Sequence, residues 1–376
     1  MTEKAKYIIS VIFIAFIGIF GILFWVLPQS DFSPKEKRYL QSFPHVSLDT
    51  LTDGSFETKF ENYINDHMVM RDTFMGINSY SNLLMLNNGS DGVYRCSDGY
   101  LINKPAKNSR LNLNLSVTED FKKKTGIDTT LMIVPSTGFI LEDKLPYIHE
   151  DYNDDSYLNT IKSRCNQSGM SFIDLRNTFS NSKNTVQIFY RTDHHWTTEG
   201  AYLAYEELCK NWNIKPKDKR AFSVEEHKDF YGTTYNTSAL WLNCADTLEI
   251  WNNRSNKSTC EITSGGSTAK YSTMYFRQQL EGADKYSVFL NGNNPVTTIK
   301  NSDNKGKGKL LVIKDSFSHC LAPFLSENFE QITLVDMRYY KRSVSEEICQ
   351  KTKYDKVLVC MGMDNFLEDK DFGFLE

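Results

Sequence analysis

The sequence predicts an α/β fold, a mostly parallel sheet covered by helices on both faces, with a β-rich insertion and a membrane-spanning helix at the amino terminus. Three observations carry this. Apolar strand-like runs at residues 129–136, 310–313, 331–337 and 356–362 alternate with helical patterns, the signature of strand-helix-strand crossovers. An uncharged run covers residues 7–27, and the regular alternation lapses between residues 215 and 304.

Lys4 and Lys6 precede the uncharged run, which has about the length a bilayer-spanning helix needs. The stretch "FGILFWVLPQS" is bulky and offers no A-x-A cleavage pattern, so residues 1–28 read as a cytoplasmic tip and an uncleaved signal anchor. The positive flank on the amino side, with Asp31 after the span, places the bulk of the chain outside the cytoplasm. Residues 29–88 read as a connector, with Phe56, Phe60, Tyr63, Ile64 and Met68 at the spacing of one amphipathic helix.

Residues 89–376 read as the main domain. It opens with a hairpin, residues 93–102, that turns on Asp98-Gly99. The strand "TTLMIVPS" follows, then a helix over residues 156–165, "SFIDL", and a strand "VQIFY". Thr197 is a helix N-cap before the stripe Ala201, Tyr205, Leu208 and Trp212. Residues 215–304, rich in Thr, Ser, Asn and Tyr, read as a β-rich insertion or a set of substrate loops. Strand 310–313, a helix with the apolar face Phe317, Leu321, Phe324 and Leu325, strand 331–337, a helix over residues 346–353 and strand 356–362 complete the chain.

A formal net charge of −4 without an extended basic stripe argues against a nucleic-acid partner, and "KGKGK" at residues 305–309 reads as a solvated loop. The eight cysteines are too scattered for a small stapled scaffold. Cys165, Cys209, Cys349 and Cys360 fall in apolar patterns as core residues, which leaves Cys244 and Cys260 as the candidate bridge.

Two short segments hold the chemistry: Thr192-Asp193-His194-His195-Trp196 and Lys314-Asp315-Ser316-Phe317. A serine hydroxyl needs an imidazole to take its proton and a carboxylate to hold that imidazole's tautomer. If residues 187–192 form a strand, Asp193 and His195 point together and His194 points away. Ser316 falls at a strand-to-helix turn, where the free N–H groups of the helix's first turn can bind an oxyanion. Each segment has a competing structural reading. Ser316 fits a helix N-cap. Asp193 and the histidines fit a turn beside a buried Trp196, or metal ligands, although adjacent histidines on an extended chain diverge and no second ligand cluster has a recognised spacing. His319 is a rival base. No metal or cofactor is expected.

At these residues the chain resembles the DHHW family and, more distantly, the alginate O-acetylation proteins AlgJ and AlgX. "RTDHHWTTEGAY" is similar to the alginate family's T-D-x-H-W-(S/T)-x-x-G-A, and "VIKDSF" stands where that family has G-D-S-F. "EKRYLQSFP" (residues 36–44), "YINDHMVMRD", "MIVPS" and "FIDL" are weaker echoes, so the likeness runs from about Pro34 to the C-terminus with little support across the insertion.

The resemblance implies an SGNH-hydrolase-like three-layer sandwich, with Ser316 as nucleophile, His195 as base and Asp193 as its partner. It departs from the pattern at Lys314, which replaces the signature glycine and is expected to narrow the pocket or add positive charge near the oxyanion. Asn365 is a candidate oxyanion donor, and Arg338 and Trp196 are candidate substrate contacts, each with a structural role as the alternative. The implied activity is an extracytoplasmic O-acyltransferase that acetylates a cell-surface polysaccharide through an acyl-serine, with a membrane-bound O-acyltransferase as donor. The alternatives are a carbohydrate esterase using the same triad, and a non-catalytic polysaccharide-binding or assembly protein whose aromatics between Trp212 and Tyr275 stack on sugars.

Overall fold

The computed structural model describes residues 2–33 and 38–376, so residues 34–37, which begin the weak family likeness, lie outside the described residues. The chain divides into two compact units, Met1–Asn87 with Ala239–Trp241, and Asn88–Ser238 with Leu242–Glu376.

In the first unit, Glu3–Val26 is the one helix among the described residues long and apolar enough to cross a membrane. The expected single connector helix is two helices, Ser55–His67 and Arg71–Leu84. They part at Met70, whose φ of 57° lies in the left-handed region that a continuing helix cannot use. Phe43 packs edge to face on Phe60 and on Tyr63, and the Trp241 indole donates to the Asp72 carbonyl at 3.2 Å.

The second unit is built on one eight-stranded sheet: β1 (Asp128–Val134), β2 (Ser171–Phe172), β3 (Thr259–Ser264), β4 (Ser267–Tyr271), β5 (Val296–Lys300), β6 (Lys309–Lys314), β7 (Gln331–Val335) and β8 (Lys356–Gly362). The spatial order is β4-β3-β5-β7-β6-β8-β1-β2. From β7 to β2 every pairing is parallel, while β4, β3 and β5 join antiparallel, so the sheet is mixed. Residues 215–304 therefore do not stand apart: three of their strands extend the main sheet, and Ser223–Phe230 pairs with Asp246–Asn252 beside it.

Successive residues of the central strands feed opposite faces, as the two-residue period requires. Leu310, Val312, Leu358 and Cys360 pack with helices Thr198–Asn211 and Phe317–Leu325. Leu311, Ile313, Val357 and Val359 pack with helices Leu111–Thr125, Asp154–Ser168 and Met363–Glu368. Helices on both faces leave the carboxyl ends of β1, β6 and β8 as the accessible edge, and in register Lys314 lies opposite Cys360 and Gly362 opposite Val134.

Three expectations need correction. Helix Phe317–Leu325 is buried on every side rather than amphipathic. The helix expected over residues 346–353 is a single wide turn, Ser345–Cys349. All eight cysteines are free, with Cys260 buried and Cys244 exposed, so the proposed bridge is absent.

The largest departure is at residues 187–192, which form no ladder strand. The segment doubles back on itself: Tyr190 N–H donates to the His195 carbonyl at 3.1 Å and Thr197 N–H to the Ile188 carbonyl at 2.7 Å. The cause is Asp246, a buried carboxylate that accepts the N–H groups of Arg191 (3.1 Å) and Thr192 (2.8 Å) and the Thr192 hydroxyl (2.7 Å). A side chain thus satisfies donors that a neighbouring strand would otherwise take. Asp246→Ala strands these groups at about 1–3 kcal/mol for each left unpaired. Thermal unfolding of the detergent-solubilised protein, followed by tryptophan fluorescence, is expected to show a transition at markedly lower temperature than wild type.

Candidate active site

Ser316 follows β6 at the accessible edge. Its backbone is already helical (φ −68°, ψ −18°), and its side chain makes no capping bond. The capping is done by Asp315, which is fully buried: Oδ1 accepts the Phe317 N–H at 2.9 Å, and Oδ2 accepts the Gly362 N–H at 2.8 Å and the Asn365 amide at 2.7 Å. This carboxylate pins the turn to the end of β8 and leaves the serine hydroxyl uncommitted to the helix. The N–H groups of Phe317, Ser318 and His319 are all taken, by Asp315 Oδ1, the Asp315 carbonyl and the Ser316 carbonyl. Among the described residues the Ser316 N–H has no acceptor, so it is the donor left at the turn.

The histidine arm is organised by Asp193. Its Oδ1 accepts the His195 N–H at 2.9 Å and bonds the His195 Nδ1, while Oδ2 accepts the Thr233 N–H at 2.7 Å and the Thr233 hydroxyl at 3.0 Å. Gly232 makes room for this carboxylate, since a Cβ there would lie 2.1 Å from the Asp193 Cβ. The expectation that His194 points away is not met: its ring tilts over His195 with centroids 3.9 Å apart, and its Nδ1 lies 2.5 Å from the Thr233 hydroxyl that also bonds Asp193. At position 200, a Cβ would meet the Ile188 carbonyl at 2.4 Å, so the doubled-back segment passes only over a glycine.

The two arms meet. His195 Nε2 lies 2.7 Å from Ser316 Oγ, across 121 residues of sequence. A proton on Nδ1, facing Asp193, leaves the Nε2 lone pair turned toward the serine hydroxyl. The Trp196 indole, completely buried, donates to the Phe317 carbonyl at 3.0 Å and so ties the residue after the histidine to the residue after the serine. The Tyr286 ring stacks on the His195 imidazole at 4.0 Å and 11°, and its buried hydroxyl has no partner among the described residues.

Of the remaining candidates, Lys314 and Arg338 belong to a separate ion-pair network, whereas Asn365 lines the cavity beside the site. Lys314 is buried and points into the molecule, with Nζ 2.6 Å from His319 Nε2 and 3.1 Å from Asp336, so it neither narrows the pocket nor charges the oxyanion position. The same contact turns His319 away from Ser316. Arg338 forks onto Asp336 at 2.9 and 2.7 Å, an ion pair and not a free substrate contact. Asn365 spends an amide hydrogen on Asp315. Burial pushes the Lys314 ammonium down from its usual range. Burial also pushes Asp336 up, but the Arg338 hydrogen bond and the Lys314 charge outweigh it and hold the carboxyl below the usual range.

Asp193, His194 and His195 offer ligand atoms within 4.8 Å of one another. Both Nδ1 atoms and both carboxylate oxygens make hydrogen bonds. Beside the site lies a cavity of about 230 Å³ walled by the hairpin residues Ile102 and Asn103, Ser136 after β1, His194, Phe317, and Met363 to Asn365 after β8.

Residues 122–335, more than half of the chain, match the model of the DHHW protein family. The chain belongs to the DHHW family. It is also 24% identical over 203 residues to the probable alginate O-acetylase AlgJ of Pseudomonas putida, covering 50% of this chain and 51% of that one. It thus spans about half the length of that curated relative. Among solved structures, a DHHW family protein from Eubacterium siraeum superimposes with a TM-score of 0.66 at 24% identity, covering 76% of this chain and 95% of that one. PatB1 of Bacillus cereus, solved with a sulfonyl adduct, gives 0.63 at 18% identity, covering 77% and 100%. These likenesses carry the fold.

In this DHHW protein four contributors to the site carry no motif of their own: Asp246, Gly232, Thr233 and Tyr286. All lie in the stretch read as an insertion, where no spacing marks them.

Two outcomes follow. Gly232→Ala forces Asp193 off its contacts, and in histidine-labelled NMR spectra the hydrogen-bonded His195 Nδ1 proton is expected to disappear while the fold persists. Asp336→Asn strips buried Lys314 of its counter-charge and is expected to cost about 3–5 kcal/mol at neutral pH, measured by chemical denaturation. Because the folded Asp336 pKa is depressed, its contribution is complete above the ordinary aspartate range near about 4 and is lost as the pH falls through the folded value. The variant's destabilisation is therefore expected to shrink in acid.

Proposed function

We propose that this protein is a membrane-anchored, extracytoplasmic O-acyltransferase with an SGNH-hydrolase-like domain, acetylating a cell-surface polysaccharide through an acyl-Ser316 intermediate. The observation that carries the reading is the 2.7 Å approach of His195 Nε2 to Ser316 Oγ, with Nδ1 held by Asp193. An isolated N-cap serine has no reason to face an oriented imidazole. The likeness to the probable alginate O-acetylase AlgJ supports O-acetyl transfer as the reaction type.

In this mechanism Ser316 Oγ attacks the donor's acyl carbonyl as its proton passes to His195 Nε2, and the leaving group departs with that proton. A sugar hydroxyl then attacks the acyl-serine, gives its proton to His195, and Ser316 regains it as the ester leaves. Asp193 stabilises the imidazolium in both steps. The Ser316 N–H, unclaimed by the fold, faces the developing oxyanion. Helix Glu3–Val26 supplies the anchor, and a membrane-bound O-acyltransferase delivers the acyl group from the cytoplasmic side. Residues 1–28 serve as anchor, 29–88 as connector and 89–376 as the catalytic domain.

Incubation of the purified protein with a chromogenic acetyl ester is expected to release product and to add one acetyl group to the intact mass. Ser316→Ala is expected to lose the adduct entirely, and Asp193→Asn to slow its formation by about 10³–10⁴-fold. An unchanged rate in Ser316→Ala contradicts the proposal.

Tyr286 adds a second test. Tyr286→Phe keeps the ring stacked on His195 and is expected to retain the acylation rate, whereas Tyr286→Leu removes the stack and is expected to lower kcat without raising KM.

A further inference from the structure

Resting on the acyl-transfer reading, we infer that the acceptor seated in the cavity beside Ser316 is an uncharged sugar rather than a uronate. The cavity lies at the carboxyl edge of the sheet, between the residue that follows the nucleophile and the loops after β1 and β8, and this is the side on which the inference places the incoming hydroxyl. At about 230 Å³ it has room for one sugar ring. Its wall mixes the apolar surfaces of Ile102, Phe317 and Met363 with the polar groups of Asn103, Ser136 and Asp364. That is the combination a pyranose presents in return, with C–H faces and hydroxyls.

The wall contains no lysine or arginine, and its ionisable members are His194 and Asp364. Of the nearby cations, Lys104 pairs with Glu150 at 3.2 Å, Lys144 with Asp98 at 2.8 Å and Arg191 with Asp246 at 3.7 Å, while Lys107 lines the adjoining cavity that shares Ser136 and Asp364. The wall itself is acidic. Ser136 bridges two carboxyls, its hydroxyl to Asp364 Oδ1 at 3.3 Å and its N–H to Asp154 Oδ1 at 2.7 Å. Burial, followed by the Asp154 charge, pushes Asp364 up to about 7, so the site already resists the negative charge it holds. Oδ2 of Asp364 has no partner among the described residues and can accept a sugar hydroxyl. A uronate would instead bring a further carboxylate to a wall without a counter-charge, whereas a neutral hexose or an N-acetylated hexosamine meets only hydrogen-bonding groups.

The test uses the full-length protein in detergent at about pH 8, above the Asp364 value of about 7. Ser316 is first acetylated with the chromogenic ester and the adduct counted by intact mass. The adduct is then mixed with cello-oligosaccharides, N-acetylated chito-oligosaccharides or oligomannuronate at equal concentration. A neutral oligosaccharide is expected to discharge the acyl-enzyme at least about tenfold faster than oligomannuronate, with the acetylated sugar as product. Asp364→Asn, which removes the charge at constant shape, is expected to narrow that ratio severalfold. Discharge by oligomannuronate as fast as by the neutral sugars, or no discharge by any neutral sugar, overturns the inference. Failure of the adduct to form at all overturns instead the acyl-transfer reading beneath it.

Discussion

The site depends on buried carboxylates that accept backbone N–H groups where the chain leaves regular structure. Asp246 takes the donors of Arg191 and Thr192, Asp193 takes those of His195 and Thr233, and Asp315 takes those of Phe317 and Gly362. Each is almost completely buried, so each donor it accepts is one that water cannot serve. Without them the segments on either side of the 2.7 Å contact would have to join the sheet or the helix, and neither geometry presents an imidazole to a serine across 121 residues.

The same constraint explains the residues around them. Asp193 needs Gly232 because its carboxylate occupies the space of a Cβ, and the doubled-back segment needs Gly200 because the Ile188 carbonyl passes there. Asp315, by capping the helix, releases Ser316 from the role its position suggests. Trp196 and Tyr286 then fix the remaining freedom. One bonds the Phe317 carbonyl, and the other covers the face of the imidazole. Lys314 occupies a separate buried network with His319, Asp336 and Arg338, which explains how a lysine replaces a glycine beside the nucleophile without entering the site.

Much of this was legible in the sequence where burial is two-sided. The strands at residues 310–313 and 356–362 read as apolar runs because helices cover both of their faces. Thr197 read as an N-cap because that part of its work is local, its hydroxyl accepting the Gly200 N–H at 3.1 Å, while the bond it donates to the Gln187 carbonyl at 2.6 Å had no local signal. Strands β3 and β4 did not read, since Ser267–Tyr271 is an edge strand open to solvent and carries no apolar alternation. Residues 187–192 misread because their apolar side chains are core residues while their hydrogen bonds go to Asp246, a partner about 55 positions away that no local pattern announces. The motif residues Asp193, His195 and Ser316 were legible as chemistry. The residues that hold them were not, because Thr233, Tyr286 and Asp315 act through distance and angle rather than through type.

The most direct measurement is the tautomer and proton position of His195 in the resting protein, read from nitrogen-15 and proton NMR of histidine-labelled material in wild type and Asp193→Asn. The account predicts an unprotonated Nε2 and a strongly downfield Nδ1 proton that vanishes in the variant. A wild-type His195 that carries its proton on Nε2, or that averages rapidly between tautomers, would contradict it, because such an imidazole could not take the proton of Ser316.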